Sequence, residues 1–352
     1  MKTNRDRILA LIYMEFGNLL LEFDCLEDAS RFLEKSLRIS DSRGDRHGVR
    51  RALQSLGKTL LRKGKFDIAH SFFSRCLELH EPDNPGYDIL PLIGIIEAQR
   101  FRGNYEEAEK AALRIEELLP HNPALEPYYL AALSGMYMDA GEFARTIQVI
   151  ETAMGKEEMD TRGEIWIELN TRRAWCYFQA GRPDRAVEIL EQALRLAEDK
   201  DTPYRESTVR SYLAALKCET GQADEAVGHA NLAVKKAVSA GSDLCLTLGL
   251  DSLGKSMCAA GTKAGGREYL KYSFSVAAEL GQQRDLCESL ISMARDHLDA
   301  GSPEKAIICA YRVLHNAGRG MESARKEALL ITAAAHVALG KLEDASLLLG
   351  LI

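Results

Sequence analysis

The residue types that most often carry chemistry are present, but their spacing builds no recognisable site. The eight histidines include no HxxxH or HExxH pair, so no helical metal site is predicted. No P-loop and no GxSxG elbow occurs, and Gly265-Gly266 is an isolated pair of glycines. We therefore predict no catalytic residue, no metal, no cofactor and no enzymatic activity.

The eight cysteines are scattered singly, and no CxxC pair occurs. A chain of 352 residues does not need a disulfide framework for stability. We interpret the cysteines as small buried apolar residues in a reducing cytoplasm. They are Cys25, Cys76, Cys176, Cys218, Cys245, Cys258, Cys287 and Cys309.

Charge and hydropathy exclude two classes of partner. The net charge of −7 argues against a nucleic-acid binder, which would present a basic surface. No apolar run approaches the ~20 residues that span a bilayer, so no membrane partner is expected. The predicted location is cytoplasmic.

A short phrase recurs along the whole chain: a glycine, two or three further residues, an acidic or polar residue, and then an alanine. Gly64 to Ala69 and Gly103 to Ala108 are clear copies, and Asp24 replaces the glycine in the first copy. The copies are separated by 38 to 40 residues and begin at residues 24, 64, 103, 141, 181, 221, 261, 301 and 340. Such constant spacing is typical of a repeat array in which each unit packs on its neighbours.

Each copy predicts a tight turn between two helices. The glycine suits a helix end that needs positive φ, and the following acidic residue favours the start of the next helix. The alanine lets the two helices approach closely. Four residues after it, an apolar residue such as Leu33 or Phe73 lies one turn further along the same face. The pattern favours an all-α fold without strands.

The chain resembles the tetratricopeptide-repeat family. The family pattern is matched in part at Leu53, Leu56, Gly57, Leu60, Ala69, Phe73 and Cys76. The long period is similar to that of the subgroup that includes Pins-type adaptors, Rap-type peptide receptors and MalT-like sensor arms. The resemblance implies a right-handed α-solenoid of about nine helix-turn-helix repeats, whose first helices line a concave groove for a peptide or protein.

A single array over 1-352 is expected. Its repeats are predicted at roughly 5-44, 45-85, 86-123, 124-160, 161-202, 203-241, 242-281, 282-320 and 321-352. The last repeat reads as incomplete, ending in Leu347 to Ile352. An apolar, uncapped end predicts either a fragment of a larger protein or self-association through this repeat.

Projection of the first helices assigns candidate partner-binding residues to the groove: Asn18, Arg51, Gln54, Lys58, Arg62, Arg172, Asp251, Lys255 and Arg295. The carboxylate clamp of the chaperone-binding subset is absent, since its positions hold residues such as Met14 and Ser55. One interpretation of this face is a solvated helix surface. The other is a site for an acidic peptide or a C-terminal carboxylate, which arginine binds well.

Two functions remain open at this level. The first is a protein-interaction scaffold or adaptor that binds a peptide or protein in the groove. The second is a peptide- or ligand-sensing regulatory arm of a larger bacterial signalling protein or transcription regulator. Fold alone does not choose between them.

Overall fold

The computed structural model describes residues 2–156, 163–318 and 321–351, and within these ranges the chain is helical with no strand. Over these ranges eighteen α-helices pair into nine consecutive hairpins, as the period predicts. The first nine are α1 (Lys2–Glu22), α2 (Leu26–Ser42), α3 (Arg46–Lys63), α4 (Phe66–Glu78), α5 (Ile89–Phe101), α6 (Tyr105–Leu118), α7 (Glu126–Asp139), α8 (Phe143–Met154) and α9 (Glu164–Gln179). The others are α10 (Pro183–Asp199), α11 (Pro203–Glu219), α12 (Ala223–Ala240), α13 (Asp243–Ala259), α14 (Lys263–Glu279), α15 (Gln283–Asp299), α16 (Pro303–Asn316), α17 (Glu322–Ala338) and α18 (Leu342–Leu349).

The turn inside each hairpin has the geometry that the recurring glycine predicts. Gly64 has a φ of 82°, and the N–H of Lys65 reaches back to the carbonyl of Leu60 at 2.9 Å, which closes the end of α3. The same backbone bond recurs at Asn104 and Arg182. Asp24, where glycine is missing, still adopts a φ of 55°. Aspartate tolerates this left-handed region better than most residues, so the first copy keeps the same turn.

The core of each hairpin lies where small residues let helices approach. The alanines that follow the turn, such as Ala69 and Ala108, are fully buried. Phe73 fills the space between the second and third hairpins, and its ring faces Gly57 on α3 and Gly94 on α5. A Cβ at Gly57 would lie 2.6 Å from Phe73 Cε1. The glycine is therefore required by packing and not by backbone conformation.

The stack of hairpins winds into a superhelix whose successive turns touch. Helix α3 packs on α13, α5 on α15 and α7 on α17, so hairpins five positions apart meet. We call this line of contact the seam. One part of it is the stack of Phe66 on Phe101, with ring centroids 4.7 Å apart, which packs with Leu244 from the next turn. The first helices enclose a central space, which we call the lumen.

Two glycine substitutions should have opposite effects on stability. Gly57→Ala should lower the free energy of unfolding by about 1–3 kcal/mol, because the added methyl group overlaps the Phe73 ring. Gly228→Ala, in α12, meets no atom within 4 Å and should raise it by roughly 0.5–1 kcal/mol through helix propensity. Urea unfolding of both variants measures the difference, and equal stabilities would contradict this packing of Phe73.

Candidate functional site: the lumen

The lumen is a cavity of about 870 Å³ that the first helices of the hairpins line. Its wall combines apolar side chains, among them Leu90, Ile93 and Tyr128, with an unusual number of charged ones. This volume lies in the upper part of the usual range for ligand pockets, and the mixed wall suits a ligand with both apolar and polar groups. The lumen is therefore the candidate site.

Arg62 ties two turns of the superhelix together at one end of the lumen. Its guanidinium donates to Asp24 Oδ1 at 2.6 Å and to the carbonyl of Leu21 at 2.8 Å. It also pairs with Glu164 of α9. Asp24 in turn accepts a 2.9 Å hydrogen bond from the backbone N–H of Tyr204 on α11. Burial raises the pKa of Asp24 even though Arg62 opposes this shift.

The middle of the lumen carries a second group of paired charges. Arg205 contacts Glu168 at 2.7 Å, and Arg172 contacts the same carboxylate at 2.5 Å. Burial alone would raise the pKa of Glu168, but Arg172 and Arg205 outweigh it and lower the pKa to about 2. Arg172 also donates to Ser134 Oγ at 3.0 Å and comes within 3.8 Å of Glu97. Glu168 is thus held ionised between two arginines.

The far end of the lumen repeats the arrangement. Arg100 contacts Glu97 at 2.8 Å and Asp139 at 2.9 Å, and Arg284 reaches Asp139 across the seam at 3.0 Å. Burial would raise the pKa of Asp139, but Arg284 and Arg100 outweigh it and the pKa falls below its usual range. From Asp24 to Arg284, arginines and carboxylates therefore form one connected network, which we call the charge network. Its members are Asp24, Arg62, Glu164, Arg205, Glu168, Arg172, Glu97, Arg100, Asp139 and Arg284.

Asp285 borders this network without being well paired. It is buried, its nearest cation is Arg284 at 3.8 Å, and its Oδ2 has no hydrogen-bond partner among the described residues. Burial raises the pKa of Asp285 from 3.8 to about 6, and the attraction of Arg284 only partly offsets this rise. An ionised Asp285 is therefore a cost to the folded state.

Two lysines lie in the wall of the lumen outside the charge network. Within the described parts of the chain, the ammonium groups of Lys58 and Lys200 make no hydrogen bond or ion pair, although both residues line the cavity. The surrounding wall and then Arg62 lower the pKa of Lys58. Both effects would be relieved by an anion beside its ammonium group.

The structure brings four of the predicted residues to the lumen: Gln54, Lys58, Arg62 and Arg172. Of these, Arg62 and Arg172 are buried and already paired, so they shape the wall more than they offer free donors. Gln54 and Lys58 remain accessible.

The other five predicted residues lie outside the wall of the cavity. Asn18 is half-buried on α1, and Arg51 donates to Glu15 at 2.9 Å. Lys255 pairs with Asp251 at 2.6 Å, and Arg295 pairs with Glu327 at 2.5 Å. Lys255 and Arg295 stand six residues before their turn glycines, as Lys58 does. A side chain at this position of the repeat therefore lines the lumen in the second hairpin, whereas in the seventh and eighth hairpins it pairs with a carboxylate outside the lumen.

Projection of the helices did not identify Arg100, Arg205, Arg284 and Lys200 as lumen residues. The sequence does show that consecutive first helices each carry arginines or carboxylates. Which of them meet depends on how far each hairpin turns about the superhelix axis, and the repeat period does not specify that angle.

Two further expectations concern cysteines and metals. Cys25 is exposed and Cys218 and Cys258 are half-buried, so the expectation of eight buried cysteines was wrong for these three. Cys25 and Cys258 lie in or beside the turns between helices, where little covers them. Within the described ranges, no three side chains of the metal-binding types converge. None of the described helices is long and apolar enough to cross a membrane.

Sequence patterns of known families match two segments of the chain. The family described as "Tetratricopeptide repeat" matches residues 8–81 and again residues 167–200. No curated protein sequence matches the chain.

Solved structures share the fold at low sequence identity. A Rap protein complexed with competence and sporulation factor superposes with a TM-score of 0.61 at 14% identity, over 85% of this chain and 95% of that one. The APC/C hetero-tetramer Cut9-Hcn1 gives 0.59 at 13% identity, over 89% and 54%. The human IFIT1 dimer with PPP-AAAA gives 0.55 at 16% identity, over 97% and 80%. These likenesses establish the solenoid fold.

Removing Arg62 should cost far more stability than removing an exposed arginine. Arg62→Met leaves Asp24 buried without its cation and should lower the free energy of unfolding by about 3–5 kcal/mol. Arg185→Met breaks an exposed pair with Glu188 within α10 and should cost at most about 1 kcal/mol. Urea unfolding followed by circular dichroism compares the two, and similar losses would contradict a structural role for the seam.

Asp285→Asn should stabilise the protein at neutral pH. The folded state binds the Asp285 proton more tightly than the unfolded state, with a pKa of about 6 against 3.8, so this group lowers stability as the pH rises through that window. The variant should gain roughly 1–3 kcal/mol at a pH of about 7.5 and almost nothing at a pH of about 4.

Asp139→Asn is the matched control, because the pKa of Asp139 is lowered and its charge contributes stability at neutral pH. This variant should be destabilised at a pH of about 7.5. Thermal unfolding across the pH range measures both variants. Destabilisation of Asp285→Asn at neutral pH would contradict the burial of an underpaired carboxylate.

Proposed function

This chain belongs to the tetratricopeptide-repeat family, and from that premise we propose that it is a protein-interaction scaffold whose lumen holds an extended polypeptide segment. An extended segment exposes backbone donors and acceptors along its length. The lumen offers polar side chains such as Gln54, Thr171 and Thr208 for them, beside apolar surface for side chains.

The observation that supports this proposal most directly is the contrast between paired arginines and unpaired lysines. Arg62, Arg172 and Arg205 each form ion pairs with carboxylates of the protein itself. Lys58 and Lys200 are not, although they face the same cavity. A carboxylate of the bound segment, from an acidic side chain or a chain terminus, would supply the missing counter-charge to Lys58. The proposed partner is therefore an acidic segment, as one interpretation of the sequence holds.

A solved neighbour gives this proposal a parallel. The Rap protein is described as complexed with competence and sporulation factor, and its fold spans most of the present chain. At 14% identity that ligand is not transferred to this protein. The parallel supports only the idea that a solenoid of this shape can hold a separate molecule.

The second candidate function is that of a ligand-sensing regulatory arm. The position of the lumen between two turns that meet at the seam favours this function. The lumen wall includes Arg62 from one turn and Leu244 and Arg284 from the next, so one ligand can touch both turns. A ligand that binds the closed and open arrangements with different affinity would shift the equilibrium between them. Small-angle scattering with and without the captured segment separates the two roles. A scaffold keeps its radius of gyration, and a sensor changes it.

The proposal can be tested in two steps. The immobilised chain captures partners from a lysate of its source organism, mass spectrometry identifies the segment that is retained, and that segment is synthesised with a fluorescent label. Fluorescence anisotropy then gives its Kd. Lys58→Ala should weaken binding roughly 10- to 150-fold, because a charge-assisted contact contributes about 1.5–3 kcal/mol.

Arg51→Ala is the matched control, since Arg51 lies on the same helix but bonds to Glu15 outside the lumen. It should leave the Kd unchanged, whereas Lys58→Ala combined with Lys200→Ala should weaken binding further than Lys58→Ala does. Equal effects of Lys58→Ala and Arg51→Ala, or no effect of either lysine variant, would rule out the lumen as the site.

A further inference from the structure

Helix α1 carries a long apolar stripe that the protein leaves uncovered. Five large apolar side chains on it, and that of Phe23 in the turn directly after it, are between 44% and 54% exposed. Five of these six follow helical spacings of four, four, three and four residues, and Leu11 lies beside them. In order, the six are Ile8, Leu11, Ile12, Phe16, Leu19 and Phe23. From Ile8 to Leu19 the stripe runs about 17 Å along the helix axis, and Phe23 extends it into the following turn.

The stripe is a separate face and not the frayed edge of the core. The opposite face of α1 packs on α2 through Ala10, Met14 and Leu21, which are buried. On that side a Cβ at Gly17 would lie 2.7 Å from Leu33 Cγ, so the two helices of the hairpin are already in close contact. The helix is therefore apolar on two sides, and only one of them is satisfied. A continuous exposed patch of this kind usually marks an interaction site.

The charges along one edge of the stripe show a polarity. Arg7, Leu11, Glu15 and Glu22 follow one another at spacings of four, four and seven residues, so they lie along the same side of the helix. The amino-terminal part of this edge is basic and the carboxyl-terminal part is acidic. Such an edge is complementary to itself when a second identical helix runs in the opposite direction.

The centre of the stripe is also compatible with an antiparallel pair of α1 helices. In an antiparallel arrangement about a two-fold axis near residue 15, Glu15 would lie beside Glu15 of the second copy. Its charge is already offset, because Arg51 of the same chain donates to Glu15 at 2.9 Å. Arg7 would then lie within one helical turn of Glu22 of the second copy, and Ile8 within one turn of its Phe23.

We propose that a second copy of this chain covers the stripe, with α1 packed antiparallel on α1 in a closed two-fold dimer. The interface is self-complementary, as a two-fold interface must be. A membrane surface fits less well, since Glu15 and Glu22 on the stripe would face anionic headgroups. One helix pair covers less than a standard interface of about 1,600 Å², so the dimer forms reversibly with a Kd on the order of micromolar. The stripe from Ile8 to Leu19 lies outside the lumen wall, and Glu22 and Phe23 at its end also border the lumen.

Sedimentation-velocity centrifugation of the full chain between about 1 and 100 µM tests the assembly. The expected result is a monomer–dimer equilibrium that stops at two copies. Ile12→Glu should raise the dimer Kd at least 100-fold while leaving the circular dichroism spectrum unchanged. Leu113→Glu changes a leucine on α6 that is even more exposed than Ile12, and it should leave the Kd as it is.

The carboxyl-terminal hairpin supplies the competing interface. Leu347 of α18 is also strongly exposed, and Leu347→Glu tests self-association through the last repeat. A monomer at all concentrations would overturn the proposal. So would a mass that keeps growing with concentration, or a dimer that dissociates with Leu347→Glu and persists with Ile12→Glu. Co-sedimentation of a monomer with phosphatidylglycerol vesicles that Ile12→Glu abolishes would assign the stripe to a membrane instead.

Charge exchange tests the antiparallel orientation. Arg7→Glu alone and Glu22→Arg alone should each weaken the dimer several-fold, because each places like charges opposite one another across the interface. The two substitutions combined in one chain restore opposite charges, so the dimer Kd should return close to that of the parent protein. Additive weakening in the double variant would overturn this orientation.

Discussion

The lumen depends on one contact between turns of the superhelix: the buried guanidinium of Arg62, which bonds to Asp24 and Glu164. Asp24 belongs to the first hairpin, and its other carboxylate oxygen accepts the backbone N–H of Tyr204, 180 residues further along the chain. The apolar packing of Phe66 and Phe101 with Leu244 joins the same two turns. Together with the Asp139–Arg284 pair at the other end, these contacts make the groove a partly enclosed space.

When the turns of the superhelix pack on each other, charged side chains lose contact with water, which costs free energy. The ion pairs of the charge network offset this cost. Arginines removed from water need carboxylates, and Glu168 and Asp139 are held ionised because two guanidinium groups flank each of them. In the regions that the structure describes, three charged residues that line the lumen outside the charge network lack a close partner of opposite charge. Asp285 retains a raised pKa, and Lys58 and Lys200 retain no counter-ion among the described residues. A carboxylate that entered the cavity would offset the charge of Lys58, and the proposed ligand is assigned to this group for that reason.

The sequence could predict the repeated helical hairpins, but it could not predict which charged side chains of different hairpins form ion pairs. The glycine at the end of α3 and the alanine at the start of α4 require only local packing, so the period gives the hairpins, and even Asp24 was placed correctly in a glycine position. The pairing of Arg62 with Glu164 depends on the small rotation between neighbouring hairpins, accumulated over several of them. No single residue determines this accumulated rotation. For the same reason the helix projection placed Lys58 and Arg295 on equivalent positions, although only Lys58 faces the lumen.

The backbone amide of Tyr204 offers the most direct measurement of the closed lumen. It lies in the first turn of α11, where an amide has no partner within its own helix and exchanges rapidly with solvent deuterium. The bond to Asp24 across the seam predicts slow exchange at Tyr204 in hydrogen–deuterium exchange resolved by NMR, and fast exchange in Asp24→Ala. Fast exchange at Tyr204 in the unmodified protein would contradict a superhelix closed on itself and, with it, the enclosed site.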